Sequence, residues 1–196
     1  MNYRLTKQQL MAELGAWNGF LGRKVHLIAC GGTALTLGGI KESTKDVDFM
    51  VPDEAEYKYL IRILKDLGYR QNTASGWQKE GSPFIYDLFR GKRIHTTELL
   101  ESPLKEGGHR PVEEYSKLYI GILNDYDLIV SKLFRGTRVD FEDCLMLVKA
   151  RGHKIDIDHL QRHFKELAGY DISEGRILKN LDDFIKLLRK EGRYGE

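Results

Sequence analysis

Asp46 and Asp48 stand one residue apart at the head of the apolar run Phe49-Met50-Val51. A strand interior disfavours Asp, so two in alternation need a chemical reason. Residues i and i+2 of a strand project from one face, which sets the two carboxylates side by side. Carboxylates that close resist joint ionisation, and a divalent cation that prefers hard oxygen donors, magnesium or manganese, relieves the repulsion. Upstream, Gly31-Gly32 leads into the short apolar stretch "TALTL". A glycine turn has no side chain to obstruct a phosphate, and the helix start at Thr33 offers N–H groups to an anion. Gly31, Gly32 and Thr33 are therefore read as the phosphate side, and Asp46 and Asp48 as the metal side, of a site for a metal-bound triphosphate. Asp87, in the middle of the apolar strand "FIYDLFR", shows the same anomaly. If its strand lies beside that of Asp48, three acids hold two metals roughly 3.5–4 Å apart, as in-line phosphoryl displacement requires. Asp87 would then also help to activate the attacking hydroxyl.

The elements that must position these residues are legible from periodicity. Thr6 opens a helix with Leu10, Leu14, Trp17 and Leu21 at helical spacing, "KVHLIAC" reads as a buried strand, and "DVDFMV" as the next, stopped by Pro52. "DEAEYKYLIRILKDLGY" is amphipathic, with Gly68 as its stop, and "GWQKEGSPFIYDLFRGKRIH" reads as a hairpin. This order predicts an α/β (α+β) fold, a small mixed sheet flanked by helices. The Gly/Pro-bearing stretch 102–111 reads as a linker, and everything from Asp125 onward as helix. Two domains are expected, an α/β domain over 1–101 and a helical one over 112–196.

Composition narrows the class without choosing the substrate. The 196 residues carry 31 Lys plus Arg against 29 Asp plus Glu, a net charge of +2, so bulk charge does not mark a nucleic-acid binder. No apolar run has the length of a membrane span, and the N-terminal residues lack a signal-peptide core. Cys30 and Cys144 lie far apart and outside any CxxC pattern, which suits two buried thiols in a reducing cytoplasm.

The stretch "GGTALTLGGIKESTKDVDFMV" resembles the signature of the DNA-polymerase-β-like nucleotidyltransferase superfamily: a glycine pair, a short helix, then two aspartates in alternation on the next strand. The small apolar helix with its following "GIKESTKDVD" is similar to the AbiEii-type toxin nucleotidyltransferases and related prokaryotic domains, as is "DLIVSKLFRGTRVDFEDCLMLV". The resemblance implies a nucleotidyltransferase fold with a C-terminal helical unit. It matches Asp46 and Asp48 to the metal-binding pair, Gly31 and Gly32 to the phosphate-binding turn, and Asp87, by strand context, to the third acid. It matches Lys132 to a lysine that contacts the triphosphate and Asp143 to a later acid that supports the site. Lys41 stands where Arg is common; a lysine cannot make the bidentate phosphate contact, so no role is given to it.

Each assignment has a structural counterpart. Arg135 and Arg138 follow Lys132 and read either as a cationic wall or as solvated residues. Asp140 reads as a helix cap, and Asp143 as a helix-dipole partner or a support of the site. His159 and His163, at i and i+4, lack the glutamate and third ligand of a zinc site. Trp77 reads as hairpin packing. The expected function is magnesium- or manganese-dependent transfer of a nucleoside monophosphate from an NTP to an acceptor hydroxyl. An RNA end such as that of tRNA is favoured over a protein or small-molecule acceptor, and a toxin role with a cognate antitoxin is the family's implication. The alternative is a non-catalytic nucleotide-binding or antitoxin-like regulatory module on the same fold.

Overall fold

The computed structural model of the chain describes residues 3–192 and 194. Its contacts divide it into two compact units, one holding residues up to 94 together with 101–124, the other holding 95–100 and the residues from 125 on.

In the first unit β1 (Leu5–Thr6) leads into α1 (Lys7–Asn18), which starts at Thr6 because that residue and Gln9 form a reciprocal capping box. Then follow β2 (Val25–Ala29), α2 (Gly31–Leu37), β3 (Ser43–Thr44), β4 (Val47–Val51) and α3 (Glu54–Asp66). Asp53 Oδ1 accepts the Glu56 N–H at 2.8 Å and so fixes the start of α3. Next come β5 (Tyr69–Gln71), β6 (Gly76–Lys79), β7 (Ile85–Arg90) and the two-residue β8 (Arg93–Ile94). The equally short β9 (Thr97–Glu98) belongs to the second unit, and the first unit resumes with β10 (His109–Glu114) and β11 (Leu118–Leu123).

Seven of these strands form one sheet in the order β10-β11-β2-β4-β7-β6-β5. It is mixed: β11 runs parallel to β2 and β4 parallel to β7, whereas β2 and β4 pair antiparallel. The central strands are apolar on both faces, as strands covered on both sides must be. Every residue of β4 is buried, and Phe49 is fully so. Trp17, Tyr69 and Tyr86 close one end of the core, ring centroids 5.0–5.8 Å apart, with the indole N–H donating to the Tyr69 hydroxyl at 3.2 Å. Trp77, on β6, is buried as packing.

The hairpin β10–β11 is absent from the sequence reading, which treats 102–111 as linker. Pro111 and the acids Glu113 and Glu114 disguise β10, yet a proline is at home on an edge strand, and the register shifts between Pro111 and Glu113. The second unit is helical, as expected from Asp125 onward: α4 (Asp125–Arg135), α5 (Arg138–Arg151), a 3-10 turn (Gly152–Lys154), α6 (Ile157–Ala168) and α7 (Glu174–Lys190). Its core holds Leu128, Leu133, Leu147, Phe164, Leu181 and Phe184. Among the described residues no helix is long and apolar enough to cross a membrane.

Because Phe49 is fully buried on the central strand of the sheet, Phe49→Ala should lower unfolding free energy by about 3–5 kcal/mol in a denaturant titration.

Candidate active site

The glycine turn and the aspartates meet in the first unit. Gly31 opens α2 with φ +55°, a backbone setting that L side chains rarely adopt. A Cβ built there would stand 2.2 Å from Asp48 Oδ2 and 2.8 Å from its Cγ, so the Asp48 carboxylate lies directly against the glycine. Gly32 is confined less severely, a Cβ meeting Thr44 Oγ1 at 2.9 Å. Thr33, fully buried, ties the turn to the aspartates: its hydroxyl accepts the Asp48 N–H at 2.9 Å and donates to the Asp46 carbonyl at 3.2 Å. The Thr44 hydroxyl donates to the same carbonyl at 2.7 Å, and the Cys30 N–H donates to the Asp48 carbonyl at 3.1 Å. The backbone of "DVD" is therefore held by hydroxyls on both sides.

Strand pairing supplies the third acid. In the parallel pair β4–β7 the register partner of Asp48 is Asp87, which places the two carboxylates on adjacent strands and on the same face. Ser75 Oγ donates to Asp87 Oδ1 at 2.6 Å, and Gly76 is the register partner of Asp87 on its other side. Ser75 has no signal in the sequence. It is found only because β6 registers with β7. Asp46 differs from expectation. It lies in the bend one residue ahead of β4 and is exposed, so strand alternation does not set its direction. Among the described residues, no three His, Cys, Asp or Glu side chains group closely enough to hold a metal by themselves.

The remaining candidates lie in the second unit, and there they make a network of their own. Lys132 is 2 % exposed, and its ammonium donates to Asp143 Oδ2 at 2.7 Å and stands 3.9 Å from Asp140 Oδ1. A buried ammonium held by two carboxylates has its charge compensated within the unit. Asp143 is thereby the lysine's counter-ion. Asp140 is the third helical residue of a capping box whose cap is Thr137: its Oδ2 accepts from the Thr137 hydroxyl at 2.7 Å, and Thr137 Oγ1 accepts the Asp140 N–H at 3.2 Å. Arg135 Nε donates to Asp140 Oδ2 at 3.1 Å, and its Nη1 lies 2.9 Å from His95 Nε2. Arg138 is exposed and pairs with Glu142 at 2.8 Å. Cys30 and Cys144 are both buried free thiols, and burial pushes Cys144 far up from its ordinary value, which makes it unreactive. His163 Nε2 is 2.7 Å from Asp127 Oδ1, and His159 meets the Tyr126 ring edge-on.

The cage around Gly31 makes a stability prediction. Gly31→Ala forces a Cβ into the Asp48 carboxylate from a left-handed backbone, which costs at least about 1–2 kcal/mol for the backbone alone. Thermal melts should show it losing clearly more stability than Gly32→Ala. For Asp140, burial raises the carboxyl, but hydrogen bonds from Arg135 and Thr137 and the charges of Arg135 and Lys132 outweigh burial and hold it below the usual carboxylate range. A depressed folded value contributes stability above the ordinary carboxylate range, and that contribution is lost as pH falls through the depressed value. Asp140→Asn should therefore destabilise the protein at neutral pH and flatten the acid limb of its stability profile.

No protein-family model matches the chain, and no curated protein matches it. Among solved structures, TM1012 of Thermotoga maritima, a candidate nucleotidyltransferase, gives a TM-score of 0.46 at 18 % identity, over 73 % of this chain and 94 % of its own. ANT(2")-Ia in complex with adenylyl-2"-tobramycin is similar with a TM-score of 0.55 at 15 % identity, over 80 % of this chain and 95 % of that one. This second likeness shows the fold: a mixed sheet with flanking helices, the architecture of a nucleotidyltransferase.

Proposed function

We propose that the chain transfers a nucleoside monophosphate from an NTP to an acceptor hydroxyl in a metal-dependent reaction. One observation carries the reading: the Asp48 carboxylate lies against the side-chain-free Gly31 and registers with Asp87 on the next strand. Two carboxylates in adjacent register are a hard-oxygen donor pair whose mutual repulsion favours a divalent cation. Magnesium keeps several waters and is usually held by one or two carboxylates together with substrate phosphates, so the pair fits a magnesium–triphosphate better than an all-protein cage. Asp48 and Asp87 would hold the ion, with the exposed Asp46 joining at the mouth. When bound, the ion neutralises charge on the phosphates and on the leaving pyrophosphate.

The chain's own residues do the rest by position. The N–H groups at the start of α2, next to Asp48, would receive phosphate oxygens held by the same ion. The Ser75 hydrogen bond holds one oxygen of Asp87 and leaves the other to accept the acceptor's proton. As that proton leaves, the acceptor oxygen bonds to the α-phosphorus and the α–β bridging P–O bond breaks, releasing pyrophosphate. Preorganised placement, not covalent chemistry, is what such a site contributes.

The RNA-end acceptor suggested by the sequence loses part of its support, since Arg135 is engaged by Asp140 and Arg138 by Glu142. The adenylylated aminoglycoside held by ANT(2")-Ia makes a hydroxylated small molecule the other acceptor class to try.

The test is transfer of label from α-labelled NTPs, with magnesium, to total tRNA, to aminoglycosides and to protein acceptors. Wild type should label one class. Asp48→Asn should reduce transfer by at least about a hundredfold, the scale of losing one preorganised charged group, with an unchanged circular dichroism spectrum. Equal labelling by Asp48→Asn would refute the site, and NTP binding with no transfer to any acceptor would leave a nucleotide-binding module.

A further inference from the structure

On the outer face of α3, Ala55, Lys58, Tyr59 and Arg62 recur at i, i+3, i+4 and i+7 and, with Arg23 from the segment before β2, line one open groove. Its floor is fixed. The Tyr59 hydroxyl accepts the Gly22 N–H at 2.6 Å, and Arg23 donates to the Ala55 carbonyl at 2.8 Å. Both guanidiniums lie over the Tyr59 ring, Arg23 at 4.4 Å and Arg62 at 5.5 Å from its centroid. Lys58 is partly neutralised, because it shares Glu54 with Arg90. Among the described residues neither Arg23 nor Arg62 has a carboxylate within ion-pair distance, although the chain carries 29 acids and Lys24, Lys58 and Arg90 nearby are paired. Two exposed guanidiniums over one ring, with N–H donors left over, are a preorganised anion receptor.

We infer that this groove binds the phosphodiester backbone of a single-stranded nucleic acid. The two cations complement an anion, and the open groove leaves a chain free to pass along it. The groove is separate from the carboxylate site. Arg23 precedes β2 and Gly31 follows it, so the strand, about 17 Å for five residues, lies between them, and the inference stands whether or not the chain catalyses transfer.

The experiment is fluorescence anisotropy with labelled single-stranded RNA and DNA oligonucleotides of mixed sequence, without NTP or metal, from about 50 to 300 mM salt. Wild type should bind with an affinity that falls steeply with salt. In Arg23→Gln/Arg62→Gln the slope of log Kobs against log salt should shrink by about 1.4, about 0.7 for each phosphate no longer neutralised. Arg23→Lys/Arg62→Lys, which keeps the charges, should retain the wild-type slope. Both variants change exposed residues, and their melts show whether the fold is kept. The proposal is overturned if wild type fails to bind at low salt, if the glutamine variant keeps the full slope, or if the lysine variant loses it equally. It is overturned in favour of a lipid surface if the glutamine variant loses binding only to phosphatidylserine vesicles.

Discussion

The absence of a side chain at Gly31 is the constraint on which the first unit's site depends. The Asp48 carboxylate occupies the space that a Cβ would need, so α2 can begin where it does only if its first residue is glycine. That contact fixes the helix start against β4. Thr33, two residues on, then reaches both the N–H of Asp48 and the carbonyl of Asp46. The antiparallel pairing of β2 with β4 brings the Cys30 N–H onto the Asp48 carbonyl from the same turn. A short helix, a strand and a turn are locked around one carboxylate, and the sheet register then sets Asp87 beside it.

The second unit solves a different electrostatic problem. Lys132 sits among the apolar residues of α4, where an unpaired ammonium would cost several kcal/mol of desolvation. Asp143 and Asp140, one turn apart on α5, supply the opposite charge, and Asp140 in turn accepts from Arg135 and closes the Thr137 capping box. One carboxylate thus serves as helix cap, ion-pair partner and arginine acceptor. Removing it would leave several polar groups unsatisfied together, which is why such networks are more specific than they are stabilising.

What the sequence reveals, and what it hides, follows the same division between local and non-local physics. The helix start at Thr6, the glycine turn and the isolated acid of "FIYDLFR" announce themselves within a few residues, because each violates or satisfies a local preference. Asp87 can be suspected from the sequence but not placed, since only the parallel pairing of β4 with β7 makes it a neighbour of Asp48. Asp46 reads as part of the strand, yet it falls one residue outside, in a bend set by Thr44 and Thr33. The hairpin β10–β11 stays hidden because Gly107, Gly108 and Pro111 look like linker, although "LYIGIL" is the unbroken apolar run of a strand paired on both sides. Lys132 draws notice for its charge, but its apolar neighbours are the stronger signal: a lysine flanked by Ile129, Leu133 and Phe134 on a core-facing helix must find its counter-ion inside.

Asp48 and Lys132 are both charged residues buried among apolar ones, and their neighbours separate their meanings. Lys132 is surrounded by charges of opposite sign, so its environment is complete within the protein and stable without a further partner. Asp48 lies against Gly31 and has Asp87 at its register position on the next strand. The Asp48 carboxylate fills the space a side chain on Gly31 would need, and the Ser75 hydroxyl holds Asp87, so each acid is positioned by its own neighbour.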